Sequence, residues 1–171
     1  YLGYKNIVIL YSRDDINREQ AFLFEDAAVR HTIKLVQNSS FFEKEDNYRP
    51  LISQFTGKDF DAVFIAAPAQ AGGKMVRQLR EMGVNKPELG GDGFNLPAYA
   101  KTVGEAGQNT IVPTIYRPNN KNPRNTTFIQ HYQEKYHEEP DYNAAQGYDS
   151  VMLLAAAIEK AGSTVPALLS S

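Results

Sequence analysis

The residues that can do chemistry lie in a few short stretches. One is Gly90-Gly91-Asp92-Gly93-Phe94, a single carboxylate among glycines with an aromatic ring beside it. Glycine permits positive φ and close backbone approach. Asp92 can therefore stand at a loop tip and accept hydrogen bonds from a cationic or hydroxyl group, with Gly93 beside it and Phe94 as an apolar wall. Another is Ser12-Arg13-Asp14-Asp15, an acid pair that follows an apolar run. A further one is Pro68-Ala69-Gln70, small residues with one amide. The two acidic stretches have a purely structural alternative. Asp92 can close its own turn, and Asp14 or Asp15 can cap the helix that follows.

The chemistry that is missing narrows the function. With no cysteine there is no disulfide, thiolate zinc site or thiol nucleophile. No G-x-G-x-x-G follows the first apolar run, and neither a P-loop nor a G-x-S-x-G elbow occurs. His31, His131 and His137 lack the H-x-x-x-H spacing that puts two imidazoles on one helix face. A phosphoacceptor site would need an acid where Pro68 stands and a lysine where Tyr116-Arg117 stands. The chain is expected to recognise a small-molecule ligand and not to act as an enzyme. No cofactor and no metal is expected.

Those stretches need a scaffold, and the periodicity supplies one. Asn6–Tyr11, Ile33–Val36, Asp61–Ala67, Pro87–Gly90 and Asn109–Ile115 read as strands, the last interrupted by Pro113. Between them, helical spacing appears over Ile16–His31, from Asp46 or Asn47 through Phe55, over Gly72–Met82 and over Leu96–Val103. Gln37–Asn47 is a polar stretch, and its charge run Glu43-Lys44-Glu45-Asp46 reads as a solvated surface loop. Strands alternating with helices predict an α/β fold, a parallel sheet of about five strands between helical layers. The three candidate stretches then follow strands that point the same way, which gathers them at one sheet edge.

At Arg117 the composition changes. Residues 117–125 read as a linker, and two helices follow, one carrying Phe128, Tyr132 and Tyr136 and one running from about Ala145 to Ala161, with Gly162 as its stop. No strand accompanies them. The 171 residues, 42% hydrophobic and 22% charged, suit one globular domain or one and part of another. The net charge of −2 points to no nucleic-acid partner. No apolar run is long enough to span a membrane. From Tyr1 to Ser171 the chain reads as a fragment of a longer protein.

Several segments together resemble one family. They are Leu2-Gly3-Tyr4-Lys5-Asn6-Ile7-Val8-Ile9-Leu10-Tyr11, Asp61-Ala62-Val63-Phe64, Gln78-Leu79-Arg80-Glu81-Met82-Gly83, Gly90-Gly91-Asp92-Gly93-Phe94, Tyr132-Gln133-Glu134-Lys135-Tyr136, Tyr148-Asp149-Ser150-Val151 and Ile158-Glu159-Lys160-Ala161-Gly162-Ser163. In order and spacing they look like type I periplasmic binding proteins, closest to the branched-chain amino-acid receptors of ABC importers. The resemblance implies a receptor of two α/β lobes that closes on an amino acid or a related small polar molecule. It also implies ABC permease partners and a periplasmic or extracellular location, with or without a lipid anchor.

By the same resemblance, residues 1–116 are the C-terminal lobe. Residues 126–171 are helices of the N-terminal lobe, whose main sheet is missing. Asp92 matches an acid that receives a ligand ammonium, while Ile16-Asn17 and Pro68-Ala69-Gln70 replace aromatic positions of relatives. Ligand sensing in signalling or envelope regulation is the alternative role for the same fold. Tyr132, Tyr136, Tyr148, Val151 and Ile158 are expected to be buried in an intact receptor. In this chain alone they are expected to pack back on the sheet or pair between copies, and free exposure would count against the element assignment.

Overall fold

The first unit is a five-stranded sheet. The computed structural model describes residues 2–119, 121–162 and 164, so Ser163 and the last residues of the predicted 126–171 segment lie outside the described residues. The strands are β1 (Asn6–Ser12), β2 (Lys34–Phe41), β3 (Ala62–Ala66), β4 (Glu88–Gly90) and β5 (Thr110–Ile111). All pairings are parallel, in the order β2-β1-β3-β4-β5. The helices are α1 (Asp15–Arg30), α2 (Arg49–Ile52), α3 (Ala69–Glu81) and α4 (Pro97–Val103), with a 3₁₀ turn at Asp92–Asn95.

The central strands are apolar on both faces because helices cover both. Val8, Leu10, Val63 and Ile65 face a core with Tyr48, Ile52, Phe55, Met75, Leu79 and Phe94. Ile7, Ile9, Ala62, Phe64 and Ala66 face Ala21 and Phe24, and the Phe24 and Phe64 rings stack at 4.0 Å. α3 buries Met75, Val76 and Leu79 and stops at Gly83, whose φ of 79° suits a residue without a side chain.

Two elements differ from the sequence reading. β2 continues to Phe41, past Val36 where the sequence reading ends the strand. It is an edge strand, so Gln37, Asn38, Ser39 and Ser40 pair with β1 on one side and meet solvent on the other. The helix read through Phe55 shrinks to Arg49–Ile52, with Pro50 in its first turn. Tyr48 and Phe55 are still buried, held by tertiary packing without further helix. Tyr48 N–H donates to Gln78 Oε1 at 2.7 Å, and Gln78 Nε2 donates to the Asp46 carbonyl at 2.8 Å, which pins the incoming loop to α3.

A carboxyl group lies deep in this unit. Glu88 is fully buried at the start of β4 and meets Arg80 of α3 by two bonds of 2.5 Å. Arg80 also donates to the carbonyls of Val84, Lys86 and Gln108. Burial pushes the Glu88 carboxyl up to about 7, against the pull of the Arg80 guanidinium.

A second compact unit begins at Ile115. It holds α5 (Pro123–Tyr136) and α6 (Tyr142–Ala161), capped by Asn122 and Asp141 and ended by left-handed His137 and Gly162. Phe128 and Ala145 are buried, and the rings of Phe128 and Tyr148 lie 4.8 Å apart. The expected burial of the aromatic stripe within this chain is corrected, although α5 and α6 both form where helices were expected. Tyr136, Tyr148 and Val151 are exposed, and Tyr132 and Ile158 are half-buried. Val151, Met152, Leu153 and Leu154 are also exposed. Four consecutive apolar residues encircle a helix, and one neighbouring helix covers only a stripe of it. Among the described residues, no helix is long and apolar enough to cross a membrane.

Candidate functional site

The strand order reverses at β1. The chain steps from β1 to β2 on one side, then places β3 on the other. A crevice therefore opens outside the carboxyl ends of β1 and β3, the usual ligand position in open parallel sheets. The loop after β4 borders it: Gly91 N–H donates to the Ile65 carbonyl at 2.9 Å.

The glycines of this loop serve close approach, not positive φ. Gly90, Gly91 and Gly93 are not among the residues with positive φ. A Cβ on Gly93 would lie 2.2 Å from Ala67 O and 3.1 Å from Ala69 N, so the turn after β4 sits directly on the turn after β3. A Cβ on Gly91 would lie 2.4 Å from Gln20 Oε1 and 3.2 Å from Ala66 Cα. One on Gly90 would strike the Phe94 ring. Gly93 is half-buried, and Asp92, beside it, is exposed.

Phe94 is corrected from cleft wall to core residue. It is 4% exposed and stacks on Tyr99 with ring centroids 4.1 Å apart. Its ring fills the space left by Gly72 and Gly90. In the 3₁₀ turn the side chain of the third residue points back under the loop, which the sequence spacing did not reveal.

Asp14 is held in a cap. It precedes α1, and its Oδ1 accepts from Asn17 N–H at 3.0 Å. The Asn17 side-chain amide donates to both of its oxygens and the buried Ser12 hydroxyl to one. Burial works to raise the Asp14 carboxyl, but these bonds outweigh it and hold the pKa below the usual range. Asp14→Ala is expected to cost about 0.5–2 kcal/mol of stability. The cost should shrink as pH falls through the lowered pKa, because the protonated carboxyl loses those bonds in the native protein too. Urea denaturation across acid pH checks this.

Asp15 is exposed and pairs with Arg18 at 2.7 Å. Pro68 is half-buried, Ala69 is buried in the first turn of α3, and Gln70 is exposed. Of the predicted residues, Asp92, Gln70 and Asp15 therefore present exposed polar side chains.

One contact was not foreseen. Gln20 of α1 donates from Nε2 to Asp92 Oδ2 at 3.1 Å and accepts Asp92 N–H at Oε1, 3.2 Å away. Helical periodicity does not single Gln20 out from Arg18 or Glu19. A concavity of about 830 Å³ lies in the second unit against Tyr116, Arg124, Phe128 and Met152 and shares no residue with this edge. It is open and mixed in lining, and the sheet edge is the better site on chemical grounds. Among the described residues, no group of acids and histidines could hold a metal ion.

Comparison with known proteins agrees with this architecture. The periplasmic binding protein family model matches residues 2–170, and the chain belongs to that family. Its fold is that of the type I members. It is 24% identical over 160 residues to Leu/Ile/Val-binding protein homolog 3 of Brucella melitensis, covering 94% of this chain and 43% of that protein. Among solved structures it superposes on a leucine-binding protein of Thermotoga maritima with a TM-score of 0.87 at 28% identity, covering 98% of this chain and 48% of that one. It also superposes on a branched-chain amino acid transporter substrate-binding protein of Streptococcus pneumoniae in complex with isoleucine, with a TM-score of 0.82 at 27% identity over 98% and 48%. The chain spans about half the length of the relatives it matches.

Proposed function

We propose that this chain supplies one wall of the ligand cleft in an extracytoplasmic solute-binding receptor of an ABC importer. The observation that carries the reading is the convergence of the loops after β1, β3 and β4 at the strand reversal, with Asp92 exposed and in no ion pair among the described residues. An amino acid is the ligand class this favours, its ammonium group meeting Asp92 through a charge-assisted hydrogen bond. The relatives' names support the class, since those proteins bind leucine, isoleucine or valine. Asp15, Pro68 and Gln70 border the same cleft.

Residues 1–116 form one lobe in this reading, 117–125 a hinge segment, and 126–171 helices of a second lobe. That second lobe covers the apolar surface of α6 and completes the cleft, and hinge closure traps the ligand. ABC permease subunits receive it.

A thermal-shift screen of the intact receptor against amino acids, small acids, amides and sugars tests the ligand class, because a ligand of the native state raises apparent stability. Amino acids should raise the melting temperature, and a response confined to sugars would reject the reading. Asp92→Ala in the intact receptor should weaken amino-acid binding by about 1.5–3 kcal/mol, the range for a hydrogen bond to a charge. Unchanged affinity by calorimetry would remove Asp92 from the site.

A further inference from the structure

We infer that Gln20 is the positioning residue for Asp92, and that as a neutral partner it makes this wall selective for a cationic ligand group. The inference rests on the reading of Asp92 as a ligand contact.

The geometry is reciprocal. One side-chain amide grips both the backbone and the carboxylate of the same residue, with its oxygen on Asp92 N–H and its nitrogen on Asp92 Oδ2. Only one orientation of the amide satisfies both bonds, because a flipped amide would set N–H against N–H and oxygen against oxygen. Gln20 is half-buried on α1, a helix anchored to the sheet by Ala21 and Phe24, so it is a fixed point for an exposed loop residue. Gly91 completes the device: a Cβ there would collide with the Gln20 oxygen, so the loop closes on the amide only if position 91 has no side chain.

The partner's charge matters as much as its place. A lysine or arginine at position 20 could hold the carboxylate equally well but would neutralise it. An amide orients the carboxylate and leaves its full negative charge. Among the described residues, no cation pairs with Asp92, and Oδ1 accepts no hydrogen bond. Oδ1 is then the atom offered to the ligand, and an ammonium is the group it favours over a neutral donor.

The test is calorimetry on the intact receptor with two probes, L-leucine and 4-methylpentanoate, which is leucine without its amino group. Wild type should prefer L-leucine. Gln20→Ala should weaken L-leucine about tenfold, as loss of an orienting hydrogen bond to a charge does. It should add nothing further on an Asp92→Ala background. Gln20→Lys should keep the melting temperature yet weaken L-leucine by at least about tenfold, without weakening 4-methylpentanoate. A merely structural glutamine would not produce that split. If Gln20→Ala lowers the melting temperature, the lysine variant decides. Wild-type affinity in either Gln20 variant while Asp92→Ala is impaired, or additive losses in the double variant, would overturn the inference. Normal L-leucine binding by Asp92→Ala, or no binding of either probe by wild type, would instead reject the underlying reading and this inference with it.

Discussion

Arg80→Ala should cost about 3–5 kcal/mol of stability above neutral pH, because it leaves a buried acid without its ionic partner. Glu88 is fully buried, and among the described residues its side-chain partners are the two Arg80 nitrogens. The same substitution removes the donors to the Val84, Lys86 and Gln108 carbonyls. The pH dependence identifies the mechanism. Glu88 titrates at about 7 in the folded chain against an ordinary value of 4.5. The native state therefore binds the proton more tightly than the unfolded state, and stability falls as pH rises between those values. Removing Arg80 takes away the group that holds the pKa down, so the folded value climbs further. The deficit should be largest above the wild-type folded pKa and shrink towards pH 5, where the carboxyl is neutral. Urea denaturation of both proteins at about pH 5 and about pH 8 reads this directly. A deficit equal at both would show that the carbonyl contacts, not the charge, dominate.

Phe94→Ala should cost a similar amount, about 3–5 kcal/mol, as expected for a large aromatic removed from a packed core. The ring stacks on Tyr99 and occupies the volume vacated by Gly72 and Gly90, and those glycines cannot expand to refill it. Phe94→Leu should recover part of the loss. In the intact receptor, the leucine variant should shift the melting temperature more than it shifts ligand affinity. The opposite pattern, a normal melting temperature with lost affinity, would restore Phe94 to the cleft wall.

The fold was legible because its strongest signals are local. The continuous apolar runs of β1 and β3 and the helical spacing over Gly72–Met82 each follow from one physical rule, and they agree with one another. What failed depended on neighbours. β2 could lengthen through Gln37–Ser40 only because it is an edge strand, and edge position is a tertiary property. The segment after Ile52 buries Phe55 without being helical, so apolar spacing alone overstated the helix. The expected burial of Val151 failed because Val151 to Leu154 encircle the helix and are exposed.

At the candidate site, residue type was legible and partnership was not. An acid among glycines at a strand end marks Asp92 from sequence alone. Whether Phe94 turns outward or inward depends on the 3₁₀ turn and on Gly72, more than twenty residues earlier. Asp14 carries a cap signal and a ligand signal in the same residue, and in the structure its carboxylate is engaged by Ser12 and Asn17. Gln20 lies 72 positions from Asp92, and no local pattern joins them.

In the proposed receptor, the carboxyl edge around β1, β3 and β4 is one wall of the cleft. Hydrogen–deuterium exchange on the intact receptor, with and without saturating L-leucine, tests it most directly. New amide protection is expected to concentrate at residues 13–20, 67–71 and 91–95, with little change at the start of β4 around Glu88. Strong protection elsewhere in the first unit, with those three segments unchanged, would contradict it.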